Sequence, residues 1–251
     1  MQGQIIDTFQ RTEIKYRIPK EKIDLFLALM DPYIQLDEYG LTTICNIYYD
    51  TENSDLVIRS LEKPDYKEKL RLRTYGVPDE KSMALKSMAF VELKKKYDGV
   101  VYKRRAAIPL RQAEVFLNQG LRAFPRTQIV RELEYFRDFY HPQPRLFIAY
   151  DRKAYYGKKD PALRMTIDRN LRYRKTDLSL RSGDYGTLLS EENDFLLEIK
   201  ANGALPLPII RILEQLSLYP SSFSKYGAIY SSMHTRQDLQ KGDRNYVYKY
   251  H

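Results

Sequence analysis

The stretch KLRLRTYG (69–76) alternates Lys69, Arg71 and Arg73 with Leu70, Leu72 and Thr74. Successive side chains of a strand point to opposite faces, so the three cations share one face and Leu70 and Leu72 the other. The arrangement recurs with Glu13, Lys15 and Arg17, with Glu92, Lys94 and Lys96, and with Lys103 and Arg105. It returns with Tyr150 and Arg152, Arg164 and Asp168, and Glu198 and Lys200. Opposite these stand Ile14, Tyr16, Ile18, Leu93, Met165, Ile167, Leu197 and Ile199. Arginine supplies planar forks for oxyanions and lysine supplies point charges, so faces of this kind suit a multiply charged anion.

Two orientations are compatible with the alternation. An ordinary half-buried strand turns its charged set to water and its apolar set to the core. Alternatively, the basic set lines the inside of a closed barrel wide enough for a ligand, in which case an anion must compensate the buried charge. About ten positive groups would then face the interior, enough for a ligand with several phosphates, and helices would cover the apolar outer faces. Glu92 and Asp168 would serve as countercharges among the cations.

The elements that carry these residues read mostly as strands: RTEIKYRI (11–18), LTTICNIYYD (41–50), KLRLRTYG, RLFIAYDRKAYYG (145–157), ALRMTIDRNLRYRK (162–175) and DFLLEIKAN (194–202). AFVELKKKYDGVVYKRRAAI (89–108) reads as a hairpin turning at Asp98-Gly99. Helices are expected in PKEKIDLFLALMDPYI (19–34), in 110–120, in 126–140 and in PLPIIRILEQL (206–216). About eight or more strands with helices gathered between them fit an antiparallel barrel with helical additions. No linker, low-complexity segment or repeat interrupts the chain, so a single domain over 1–251 is expected.

The 251 residues include 42 Lys+Arg against 33 Asp+Glu, a net charge of +9. The partner is therefore anionic: nucleic acid, an acidic lipid surface or a phosphate compound. The single cysteine, Cys45, excludes an internal disulfide, and His141, His234 and His251 are too scattered for a zinc-type cluster. The start MQGQIIDTFQRTEIK has no signal-peptide pattern, and apolar runs such as LFLALM are far short of a membrane span. A cytoplasmic location is expected, with docking on a membrane partner allowed.

The ordered motifs EIKY, IYYDT, KLRLRTYG, VELKKK, YKRR, YDRKAYYG, RMTIDRNL, LLEIK and FSKYG, from about residue 11 to 231, resemble the catalytic domain of the vacuolar transporter chaperone (VTC) family. These are polyphosphate polymerases within the CYTH-like superfamily of triphosphate tunnel metalloenzymes. The resemblance implies an α+β, mainly β fold: an eight-stranded antiparallel β-barrel tunnel with helices packed outside. It implies ATP and inorganic polyphosphate as substrates and Mn²⁺ or Mg²⁺ as cofactor. Carried over by motif, Lys15, Arg71, Arg73, Lys94, Lys103, Arg152, Arg164 and Lys225 would bind the reacting phosphates. Tyr150, Ser224, Lys69 and Lys200 would line the substrate, Glu198 would hold the metal, and Glu13 is a second metal candidate. A terminal phosphate of the growing chain would attack the γ-phosphate of ATP.

Hydrolytic members of that superfamily tend to carry Glu-x-Glu-x-Lys on the first strand, where this chain has Arg11-Thr12-Glu13-Ile14-Lys15. Losing the first carboxylate disfavours a hydrolase of tripolyphosphate or of nucleoside or thiamine triphosphates, which stays as an alternative. Ser222 stands where the polymerases often have a basic residue. A non-catalytic polyanion binder is a third reading. Nucleic acid is not expected, because the aromatics alternate mostly to the face opposite Lys and Arg, not beside them. The absence of a preceding sensor domain and of following membrane helices matches a free-standing form, with room for a separately encoded membrane partner.

Overall fold

A computed structural model describes residues 11–78, 88–98, 100–122, 124–189 and 194–241. Gly99 of the expected hairpin turn, the Arg11 side chain and the tail 242–251, with His251, lie outside the described residues. The strands are β1 (Arg11–Ile18), β2 (Ile34–Asp50), β3 (Tyr66–Tyr75), β4 (Met88–Tyr97), β5 (Val100–Pro109), β6 (Gln143–Gly157), β7 (Arg164–Arg174), β8 (Thr187–Leu188) and β9 (Phe195–Asn202). The α-helices are α1 (Ile23–Met30), α2 (Asp55–Leu61), α3 (Leu110–Gln119), α4 (Gln128–Tyr140), α5 (Leu207–Gln215) and α6 (Lys225–Lys241).

The mainly β architecture with antiparallel pairing and helices is the one read from the sequence. Its strands hydrogen-bond in the order β1-β9-β7-β6-β2-β3-β4-β5, with β8 on β7. Among the described residues that path holds the eight strands expected, with the short β8 as a ninth beside it, and the sheet runs from β1 to β5 without closing into the expected barrel. The chain divides into two compact units interleaved along the sequence: residues 1–43, 150–171 and 190–222, and residues 44–149, 172–189 and 223–251.

In the first unit, β9 pairs antiparallel with β1 on one side and β7 on the other. Period-two alternation puts Tyr16, Ile18, Met165, Ile167, Leu197 and Ile199 into one buried cluster with Phe26 and Met30 of α1 and Ile209, Ile212 and Leu213 of α5. Helix α1 ends at Met30, before the expected Ile34, which instead opens β2. That strand starts seven residues earlier than its β-rich core at 41 suggests and passes through Gly40, whose φ of +57° a side-chain-bearing residue would adopt only with strain.

In the second unit, β2, β3, β4 and β5 form an antiparallel meander. Leu70, Leu72, Val91, Leu93 and Ile108 pack with Phe116 and Leu117 of α3 and Leu133 and Phe136 of α4. Leu70, Leu72 and Leu93 are among the most deeply buried side chains, each contributing about 1.5 to 3 kcal/mol of burial. Cys45 lies in the same cluster. Thr127 caps α4, its hydroxyl accepting from Val130 N at 3.3 Å, and His141 closes that helix in the left-handed region.

Helices α2 and α6 were not anticipated. Asp50, fully buried, accepts from the backbone N–H groups of Leu56 (2.9 Å) and Val57 (3.0 Å) in the first turn of α2. It also accepts from the Tyr226 hydroxyl of α6 at 3.0 Å. A carboxylate outside the helix supplies the cap that the sequence DLVIRSL lacks, which is why local propensity did not show the element.

Candidate functional site

Strand pairing in the second unit builds a polar face opposite the Leu70–Leu72 core. Register sets Tyr48 beside Arg71, Asn46 beside Arg73, Glu92 between Arg71 and Arg105, and Lys94 between Lys69 and Lys103. Glu92 is the hub. Its Oε2 accepts from Arg71 Nε at 2.7 Å, and its Oε1 accepts from Arg105 Nε at 2.6 Å and lies 2.8 Å from Lys103 Nζ. Arg73 Nη1 comes within 3.8 Å and also donates from Nε to Asn46 Oδ1 at 2.8 Å. Arg71 donates to the Tyr48 hydroxyl at 3.2 Å.

Burial alone would raise the Glu92 carboxyl, but Arg71, Arg73 and Lys103 outweigh it and hold the group well below the usual carboxylate range. Burial lowers Lys103 despite its contact with Glu92. Arg73 is only 5% exposed while Lys103 is 44% exposed, so the cations run from buried to solvent-accessible. Among the described residues, one carboxylate against these four cations leaves a surplus of positive charge on this face. Lys67 and Lys96, directly paired across β3 and β4, extend that surplus. Burial and Lys96, then Lys63 and Lys94, push the Lys67 ammonium down.

Ser224 and Lys225 stand at the start of α6. Lys69 donates to the Ser224 hydroxyl at 2.8 Å, and that oxygen also accepts from Gly227 N at 3.2 Å, so Ser224 caps the helix while receiving a β3 lysine.

The first unit carries a second cluster. Glu198 lies opposite Lys15 on β1 and Thr166 on β7, and Lys200 lies opposite Glu13 and Arg164. Lys200 Nζ is 2.6 Å from Glu198 and 3.8 Å from Glu13, which is itself 3.6 Å from Lys15. Burial raises the Glu198 carboxyl, yet Lys200, Lys15 and Arg152 together bring it down to about 2. Arg152 grips Asp168 through Nε (2.6 Å) and Nη2 (2.8 Å), and its guanidinium sits 5.2 Å over the buried Tyr150 ring. Arg164 is exposed and lies 5.7 Å over Tyr156. The Thr166 hydroxyl, buried and in register with Glu198, finds no hydrogen-bond partner among the described residues.

The structure thus gathers Lys69, Arg71, Arg73, Lys94, Lys103, Ser224 and Lys225 in one unit, and Glu13, Lys15, Tyr150, Arg152, Arg164, Glu198 and Lys200 in the other. Sequence reasoning noted Arg105 on the right face but did not place it in the site, and it missed Asn46 and Tyr48. Their signal was present: Asn46 and Tyr48 alternate with Cys45, Ile47 and Tyr49, and Arg105 follows Lys103 by two. Among the described residues, no helix is long and apolar enough to cross a membrane.

A mainly β fold bearing two arginine- and lysine-rich clusters, each with embedded carboxylates, is the class of protein these observations define. The family model described as the VTC domain matches residues 10–234, and the chain belongs to that family. It is 24% identical over 211 residues to vacuolar transporter chaperone complex subunit 4 of Trypanosoma brucei brucei, a match covering 68% of this chain and 27% of that protein. The chain therefore spans about a quarter of that relative's length. Among solved structures, a candidate adenylate cyclase from Bacillus halodurans aligns with a TM-score of 0.52 at 13% identity, covering 85% of this chain and 95% of its own. At that identity the likeness concerns the fold.

Proposed function

We propose that this chain is a phosphotransferase that moves the γ-phosphate of ATP onto the end of an inorganic polyphosphate chain. The observation that carries the reading is Glu92, a buried carboxylate ringed by Arg71, Arg73, Lys103 and Arg105. It orders the cations without neutralising them, leaving the remaining charge to a polyanionic substrate. Membership of the VTC domain family supports the same reading.

In this reading a terminal phosphate oxygen of the chain, already ionised at neutral pH, attacks the γ-phosphorus. The bond from γ-phosphorus to the β-bridging oxygen breaks, and ADP leaves with that electron pair, so no protein general base is needed. Arg71, Arg73, Lys94 and Lys103 hold phosphate oxygens in one unit, with Lys69, Ser224 and Lys225 positioning the chain. Lys15, Arg152, Arg164 and Lys200 do the same in the other, Tyr150 supporting Arg152 from below. The proteins' cations act by positioning and charge neutralisation, which is most of what phosphoryl transfer requires.

Glu198 and Glu13 would hold Mn²⁺ or Mg²⁺. The two carboxylates converge on the Lys200 ammonium, and the Thr166 hydroxyl, without a hydrogen-bond partner among the described residues, lies in register with Glu198. Among the described residues no group of three or more His, Cys, Asp and Glu converges, so the cation would complete its shell from phosphate and water, the usual habit of Mg²⁺. When bound, it would neutralise charge on the triphosphate. The relative is a subunit of a vacuolar transporter chaperone complex, and for this chain a separately encoded membrane partner is proposed.

The test is incubation of purified protein with ATP and Mn²⁺, resolving polyphosphate on gels and assaying free phosphate, beside an Arg71→Ala, Arg73→Ala variant. A ladder of chains with ADP, lost in the variant, is expected. Free phosphate without chains would move the reading to a triphosphate hydrolase, and neither product would leave a polyanion-binding protein.

A further inference from the structure

Tyr75 ends β3 on the same face as Arg71 and Arg73, and the residue is 48% exposed. Phe90 meets that ring edge-on at 5.4 Å and 86°. Arg105 donates from Nη2 to the Tyr75 hydroxyl at 2.7 Å, while its guanidinium lies 4.5 Å over Phe90. Arg73 lies 5.9 Å from the Tyr75 ring. The tyrosine is therefore fixed by the same arginines that surround Glu92, yet keeps nearly half its surface open. On the opposite side of the Arg71–Glu92–Arg105 row the strands bring Lys67, Lys69, Lys94 and Lys96 to this face.

We propose that Tyr75 is a stacking platform for the nucleobase of the donor nucleotide, and so marks the end of the β3–β4–β5 face at which the nucleoside lies. This rests on the phosphotransferase reading above. At about 3.3 Å per strand residue, Tyr75 is about 7 Å from Arg73 and about 13 Å from Arg71 along β3. That span matches an extended nucleoside triphosphate with its terminal phosphates at Arg71 and its base at Tyr75. An exposed ring next to guanidinium groups is the surface on which a base gains stacking and cation–π contact without hydrogen-bond readout, so purines in general would be accepted. The Tyr75 phenol supports the picture: burial raises it, but Arg73 and Arg105 pull it below its ordinary value, placing the ring in a strongly positive field.

The experiment is calorimetric titration of the intact protein with a non-hydrolysable ATP analogue and, separately, with inorganic tripolyphosphate. Tyr75→Ala is expected to weaken the analogue about tenfold and leave tripolyphosphate unchanged, while Tyr75→Phe, which keeps the stack, binds the analogue as the natural protein does. An unchanged analogue affinity in Tyr75→Ala, or an equal loss for both ligands, would overturn the platform. Selective loss in a protein that makes no polyphosphate would uphold the platform and remove the phosphotransferase reading, so the two failures are distinguishable.

Discussion

Arg71 holds Glu92 with two nitrogens on one oxygen: Nε at 2.7 Å and Nη2 at 2.6 Å from Oε2. Because Arg105 and Lys103 occupy the other oxygen, the carboxylate is the countercharge around which three strands agree on their register. Glu92→Gln should therefore destabilise the protein by about 2 to 3 kcal/mol, less than the full loss of a buried pair because Lys103 and Arg105 reach water. Thermal melts should show a drop of several degrees, partly reversed by tripolyphosphate. An unaltered melting temperature would mean that the surrounding cations do not depend on Glu92.

Acid sensitivity should track Glu198 as well. Its carboxyl lies at about 2 in the folded chain, against an unfolded value near 4.3, because Lys200, Lys15 and Arg152 outweigh burial. A depressed carboxyl contributes stability above its unfolded pKa, and this contribution is lost as pH falls from about 5 toward 2. Urea melts at pH 7 and pH 3.5 should show a smaller loss between the two for Glu198→Gln than for the natural protein. Equal losses would show that Glu198 is not ion-paired in solution.

Ser224→Ala removes one oxygen that both caps α6 and accepts from Lys69. The cap predicts a loss of about 1 kcal/mol in stability. The lost Lys69–Ser224 contact predicts weaker tripolyphosphate binding as well, and Ser224→Thr, which keeps the hydroxyl, should restore both. A variant with reduced stability and unchanged affinity would limit Ser224 to capping.

Asp50→Ala strips the shared acceptor from α2 and α6 at once. With backbone N–H groups of Leu56 and Val57 left buried, a loss of about 2 to 4 kcal/mol is expected in urea denaturation. Hydrogen exchange should show the first turn of α2 opening before the β3–β4 pairing. Exchange that stays uniform across the two would refute this anchoring role.

The faces that the candidate site residues share were legible because their signal is short-range. Lys69, Arg71 and Arg73 separate from Leu70 and Leu72 on any strand, and the helical stripe of α4 with Leu133 and Phe136 could be read from spacing. Asp50 was not legible as a helix anchor, since its partners include Tyr226, 176 residues away. Arg105 was visible on its face, but only its pairing with Glu92, 13 residues away, revealed what it does.

Alternation alone determined which side chains share a face, because the strand's period of two is a local property of the backbone. Composition alone determined the excess of positive charge, because the surplus of Lys and Arg persists in any fold. Tertiary structure decided which face the helices cover, placing Leu70 and Leu72 beneath α3 and α4 and leaving Arg71 and Arg73 among polar neighbours. It also decided which carboxylate answers which cation. Countercharge depends on distances of a few ångströms between strands far apart in sequence, and only register and packing set those distances.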